Sequence, residues 1–300
     1  MTGAPALLPP RAAESLTPGD LAQFDAIAAL AHAEAGLVLP RDKAPMVLAR
    51  IGKRIRAGGH ADLAAYCAHL HSADGEAERR ELIYTLTTNV TSFFRERHHF
   101  DALRERLLPE LAARARAGGR VRLWSAGCST GQEPYSIAMV VLEALPEADS
   151  CDIRILATDI DPHVLARAEA GLYPDQQVEG VPDALRGRHF VPAPEAGVAG
   201  ARRVADPVRR LVTFRPLNLL GSWPMKGRFD IVFCRNVVIY FDRETQSRLW
   251  QRFAAALVPG GHLFVGHSER IDTAACGAFR PAGTTMYQRA EGGAPVETRG

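Results

Sequence analysis

Ser125-Ala126-Gly127-Cys128-Ser129-Thr130-Gly131-Gln132-Glu133-Pro134-Tyr135-Ser136 joins a β-prone run over 120–125 to a helical run over 134–145. Glycines between a strand and a helix let a ligand approach the backbone, and the helix N-terminus beyond offers free N–H groups. The turn is neither a Gly-x-Gly-x-x-Gly dinucleotide fingerprint nor a phosphate loop ending in Gly-Lys-Ser/Thr. It holds no lysine for a phosphate, and Glu133 stands where a pyrophosphate would lie. A carboxylate there repels phosphate and attracts an ammonium; its plainer role is to complement the helix dipole.

Working outward, short β-rich runs alternate with helical ones from about residue 117. Strands are expected at 153–158, 211–214, 229–234 and 262–266, with helices from Pro162 and over 244–257. This alternation predicts an α/β fold with a mostly parallel sheet covered on both faces. An antiparallel edge strand is expected at 284–288. About 40 residues separate Gly171 from Leu211, too many for an ordinary connection. Two β-prone pieces within them, 188–192 and 201–205, predict an inserted β-hairpin subdomain over about 172–210.

Upstream the texture is helical. Leu21, Phe24, Ile27, Ala28 and Ala31 recur at helical spacing, and further helices are expected over 45–57, from Asp62 through Leu70, and over 76–86. The domain plan is therefore an Ala/Pro-rich arm (1–18), an all-α domain (19–86), a linker (87–100), an α/β domain (101–290) and a tail (291–300). In the second helix Arg50, Lys53, Arg54 and Arg56 lie opposite Val47, Leu48, Ile51 and Ile55. The window 41–56 carries six basic residues against one acid, Asp42. Such a face suits a glutamate-rich partner, or it is simply a solvated helix face.

Composition sets outer limits. The 300 residues are 47% hydrophobic and 23% charged with a net charge of +2, as in a globular domain with a sizeable core. That small charge argues against nucleic acid as the main partner. Residues 1–10 do not read as a secretory signal, and no apolar run approaches the roughly 18–20 residues needed to span a bilayer. The five cysteines have neither disulfide nor zinc spacing, and no third ligand is spaced to join His98 and His99. A cytoplasmic, metal-free protein is expected.

A second acid, Asp159, follows the strand at 153–158 and is placed to bond a ribose diol. Asp161 reads as the N-cap of the next helix, with Pro162 at its first turn. Two acids at neighbouring strand tips suit a cationic nucleoside carrying an amino acid, the composition of S-adenosyl-L-methionine. His267-Ser268-Glu269 holds the residue types of a nucleophilic triad, but neighbours along a strand end point apart, so a structural role is expected. Trp124 and Trp250 read as core.

Taken together, Thr88-Asn89-Val90-Thr91-Ser92-Phe93-Phe94-Arg95-Glu96, the glycine turn, Ala157-Thr158-Asp159-Ile160-Asp161, Pro216-Leu217-Asn218-Leu219, Phe233-Cys234-Arg235-Asn236-Val237-Val238-Ile239-Tyr240-Phe241 and Gly266-His267-Ser268-Glu269 resemble the chemotaxis receptor glutamate O-methyltransferases, the CheR family. The resemblance covers roughly residues 21–288. It implies a class I (Rossmann-like) methyltransferase domain that methylates glutamates on chemoreceptor cytoplasmic helices and releases S-adenosyl-L-homocysteine. Carried over, the cofactor contacts are Asn89, Thr91, Arg95, Gly127, Glu133, Asp159, Asn218, Leu219, Arg235 and Asn236. Arg95 and Tyr240 stand beside the transferred methyl as the catalytic pair. Arg50, Lys53, Arg54 and Arg56 would face the receptor. In some members the β-subdomain also docks a receptor C-terminal peptide; the turn at 194–200 here departs from their glycine-rich loop. Other readings of the motifs are a methyltransferase for nucleic acid or a small molecule, and a non-catalytic S-adenosylmethionine sensor.

Overall fold

The computed structural model describes residues 16–194, 197 and 200–290. The chain divides into two compact units between Thr88 and Asn89. The first is helical: α1 (Pro18–Ala35), α2 (Ala44–Ala57), α3 (Leu63–His71) and α4 (Glu76–Leu86). α1 starts within the predicted arm, because Thr17 and Asp20 form a reciprocal capping box and Pro18 stands in the first turn. Phe24 and Ile27 of α1, Val47 and Ile51 of α2, Tyr66 and Leu70 of α3, and Leu82 of α4 are buried. Residues 1–15 of the predicted arm, and the tail, lie outside the described residues.

The second unit carries α5 (His98–Ala102), a π-helical turn (Leu103–Leu107), α6 (Leu108–Arg116), β1 (Val121–Ala126), α7 (Gln132–Ala144), β2 (Ile153–Asp159) and α8 (Pro162–Ala170). Then come β3 (Leu172–Pro174), α9 (Asp175–Val178), α10 (Asp183–His189), β4 (Phe190–Pro192), β5 (Ala201–Val204), α11 (Asp206–Arg210) and β6 (Val212–Pro216). The chain continues through β7 (Phe229–Cys234), α12 (Arg243–Ala256), β8 (Leu257–Val265), α13 (Thr273–Cys276), β9 (Phe279–Gly283) and β10 (Met286–Arg289).

Seven strands form one sheet in the order β6-β2-β1-β7-β8-β10-β9. The first five run parallel, and β10 is antiparallel to both neighbours. Successive residues serve opposite faces, as strand geometry requires. Leu123 joins the core cluster with Ile155, Ile231 and Phe233; Trp124 joins the one with Val232, Leu249 and Phe253. Trp250 is buried in that second cluster.

Three expectations need correction. The strand near 284–288 is β10, which lies inside the sheet; the edge is β9. β9 holds Pro281 and Gly283 and so reads as loop, yet an edge strand needs no donor from its outward side. β8 begins at Leu257, not at 262, and a register shift opposite Phe229 and Ile231 absorbs Pro259-Gly260-Gly261. The inserted β-element has three strands rather than two, in the order β3-β5-β4. In its turn Glu195, Ala196, Val198 and Ala199 lie outside the described residues.

Candidate active site

Strand order reverses between β1 and β7, and a parallel sheet opens a crevice beyond its strand tips at such a switch point. Gly127, just past β1, has φ +80°, and a Cβ there would meet Val237 Cγ2 at 2.4 Å. Only glycine fits, and the fit brings the β1 turn against the segment after β7. The Gly127 and Cys128 amides donate to the Thr158 carbonyl at 2.8 and 2.9 Å, fastening the turn to the tip of β2.

Three charged groups stack behind this turn. Glu133 accepts from Ser125 Oγ at 2.7 Å and from Arg235 Nη1 at 2.9 Å. Arg235, its side chain 2% exposed, also lies 3.3 Å from Glu96 Oε2 and donates to the Arg95 carbonyl. Burial pushes the Glu133 carboxyl up, and Arg235 only partly opposes it. Burial also raises Glu96, but the His267 hydrogen bond and the Arg235 charge outweigh it and hold Glu96 at about 2. Among the described residues, the buried side-chain polar atoms without a hydrogen-bond partner are Glu96 Oε2, His99 Nδ1 and Arg235 Nε. All three belong to this knot.

Asp159 is buried at the tip of β2 and accepts from the Ser129 amide at 2.8 Å and the Asp161 amide at 3.1 Å. Burial pushes its carboxyl up, against the pull of those amides. Asp161 caps α8 through the His163 amide, as expected. Asn89 Nδ2 is 3.5 Å from Asp161 Oδ2, and the Asn89 carbonyl accepts from Ser129 Oγ. After β6, Asn218 Oδ1 accepts from the Leu220 amide and Leu219 is buried. Arg95 Nη1 donates to the Val90 carbonyl, and its guanidinium has no ion pair among the described residues. The hydroxyls of Thr91 and Tyr240 have no hydrogen-bond partner there either; Tyr240 ends a 3₁₀ turn three residues beyond Val237. Phe94, Glu96, Ser129 and Asn236 all take positive φ without being glycine, which marks strain concentrated around one crevice.

Two family models match the chain. CheR methyltransferase, SAM binding domain, matches residues 89–288, and CheR methyltransferase, all-alpha domain, matches residues 22–87. A probable chemotaxis protein methyltransferase of Rhizobium etli is 51% identical over 259 residues, covering 86% of this chain and 96% of the relative. Chemotaxis protein methyltransferase 2 of Pseudomonas aeruginosa is 43% identical, covering 85% of this chain and 88% of the relative. The Escherichia coli chemotaxis protein methyltransferase is 40% identical, covering 83% and 85%. The chain belongs to the CheR family.

Within this CheR chain the structure revises two expectations. Arg54 does not stand free on the basic face of α2: Nε and Nη2 grip Glu78 at 2.6 and 2.7 Å, and Nη1 reaches Glu81 at 2.9 Å. Lys53 and Arg56 are exposed and Arg50 is half-buried. A third metal-ligand type does join the histidine pair, since ligand atoms of Glu96, His98 and His99 lie within 4.8 Å of one another. Arg235 supplies the counter-charge to that carboxylate. Glu96, His99 and Ser129 join the site without a signal of their own in the sequence. Glu96 and Arg235 both stand in the quoted motifs, but they are 139 positions apart, so nothing in the sequence signals that they pair. Among the described residues, no helix is long and apolar enough to cross a membrane.

Proposed function

We propose that this chain transfers a methyl group from S-adenosyl-L-methionine to glutamate carboxylates on chemoreceptor helices. The observation that carries the reading is the part-buried Glu133–Arg235 pair at the switch point, inside a chain related to chemotaxis methyltransferases along most of its length. An amino-acid zwitterion would find a carboxylate for its ammonium and a guanidinium for its carboxylate, and Arg235 Nε is buried with a donor to spare. The Gly127 cradle admits close approach, and Asp159 keeps acceptor capacity for ribose hydroxyls beyond its two amides. These features fit the donor.

When bound, the donor supplies a methyl activated by a sulfonium. The protein's part is to hold, orient and dry. Glu133, Asp159, Arg235 and Asn236 line the strand tips; Asn218 and Leu219 follow β6; Asn89 and Thr91 come from the segment entering the second unit. A target glutamate, with a reference pKa of about 4.3, arrives ionised at neutral pH and needs no general base. Arg95, without an ion pair among the described residues, orients that carboxylate through its planar fork, and the Tyr240 hydroxyl, unpartnered among them too, bonds near the reacting oxygen. Opposite charges vanish as the ester forms, so excluding water favours the reaction. The exposed Lys53 and Arg56 on α2, with Arg50, attract acidic receptor helices. A reducing compartment suits the five free cysteines.

Radiolabelled methyl transfer to receptor-bearing membranes tests the reading. Base-labile label on receptor is expected, with Arg95→Ala and Tyr240→Phe each cutting turnover about 100-fold through lost positioning. Binding of the donor without transfer would instead indicate a sensor. Full turnover in both variants would remove them from the reacting centre.

A further inference from the structure

We propose that Glu269 is a positioning residue for methyl transfer: its carboxylate fills a nest of backbone amides and so fixes the Arg235–Asn236 segment for the donor. The inference rests on the methyltransferase reading above. Glu269 is 3% exposed. Oε1 accepts from the Val237 and Val238 amides, each at 2.9 Å. Oε2 accepts from the Asn236 amide at 2.9 Å and from the Gly266 amide. Three consecutive amides after β7 and one after β8 therefore converge on one side chain. No cation pairs with it among the described residues, so oriented amide dipoles carry the whole compensation for a buried charge.

The geometry that this anion holds is one the chain would not choose alone. Asn236 sits at φ +60°. A Cβ on Gly266 would meet Asn236 Nδ2 at 2.5 Å and its amide nitrogen at 2.8 Å, so the β8 tip is shaped around the β7 tip. Val237, whose amide Glu269 holds, occupies the space that a side chain at Gly127 would need. One carboxylate thus sets Arg235 and Asn236 on one side and the glycine turn on the other. Releasing the amides would let neighbouring N–H groups repel and splay the segment, moving the guanidinium that meets Glu133. A purely apolar plug could fill the same volume but could not orient four donors.

The test compares wild type, Glu269→Gln and Glu269→Ala. Calorimetry reads S-adenosyl-L-homocysteine binding, hydrogen exchange reads the amides of 236–238 and 266, and a cooperative melt with near-ultraviolet circular dichroism reads the fold. Both variants should bind about 10- to 100-fold more weakly, with those amides exchanging faster. In Glu269→Ala, formate entering the vacated nest should restore affinity and protection. Wild-type affinity in a folded Glu269→Gln overturns the proposal. So does a folded Glu269→Ala whose weak binding formate does not improve, or loss of fold in both variants, which would make Glu269 a general stabiliser. A wild type that binds no S-adenosyl-L-homocysteine would sink the underlying reading instead, while the exchange data still report on the nest.

Discussion

Arg235 holds two carboxylates and a carbonyl with one guanidinium, and its neighbours depend on it in turn. Removing it leaves Glu133 and Glu96 facing each other's charge in a water-poor space. Arg235→Ala should therefore cost about 3–5 kcal/mol, read from urea unfolding, well beyond the loss of one surface pair. Arg235→Lys keeps the charge but loses the fork, and should recover part of the stability while still failing to bind the donor tightly. Gly127→Ala probes the opposite wall. Its methyl would push Val237 from the Glu269 nest and its φ would be strained, so donor affinity should fall while the far end of the sheet keeps its exchange protection. Unchanged affinity in calorimetry would contradict the tight approach of the two turns.

At the scale of the element, α2 divides its basic residues between two duties. Arg54 reaches α4, where Glu78 also accepts from the Tyr66 hydroxyl at 2.8 Å, so it braces three helices. Arg54→Ala should destabilise the helical unit by about 1.5–3 kcal/mol, the range for hydrogen bonds to charged groups. Lys53→Glu with Arg56→Glu should leave the melting temperature within a degree or so, because exposed charges contribute little to stability. The same pair should slow receptor methylation and flatten its dependence on salt. Equal rates at every ionic strength would detach α2 from receptor attraction. The helical repeat alone located this face, but the sequence could not reveal that Arg54 is spent inside it. Its partners lie 24 and 27 positions away on a helix whose facing side is set by packing.

For the whole molecule, buried imidazoles shape the response to acid. Burial, aided by the charges of Arg235 and His98, lowers His99 to about 3. Burial, with Arg106 and Arg280, lowers His262 to about 4. In the unfolded chain both titrate near 6.5, so below that pH the unfolded state binds more protons and stability falls as pH falls. Glu96, held at about 2 against 4.5, adds a loss of the same sign between those values. The share of stability these three groups contribute should be fully present above about pH 6.5 and decline toward pH 3 by about 1.4 kcal/mol per pH unit for each proton taken up, while the raised Glu133, Asp159 and Glu269 carboxyls act in the opposite sense. His262→Gln should remove one proton from that slope in urea titrations at stepped pH; an unaltered slope would show that His262 titrates normally when folded.

Much of the architecture was legible because local physics writes it directly. Apolar runs over 229–234 and 153–158 have one stable home in a sheet covered on both faces, and Asp161-Pro162 announces a helix start whatever surrounds it. The glycine turn and the acids at 133 and 159 likewise point, by residue type and place alone, to a cationic donor. What only the tertiary structure decided depends on partners far apart in the chain: Glu96 beside Arg235, Arg54 spent on α4, β10 inside rather than at the edge, and Glu269 gathering four amides from two strand tips. Residue type and spacing encode what a side chain can do. Which neighbours use up its hydrogen bonds and charge is settled only when the sheet closes and water leaves.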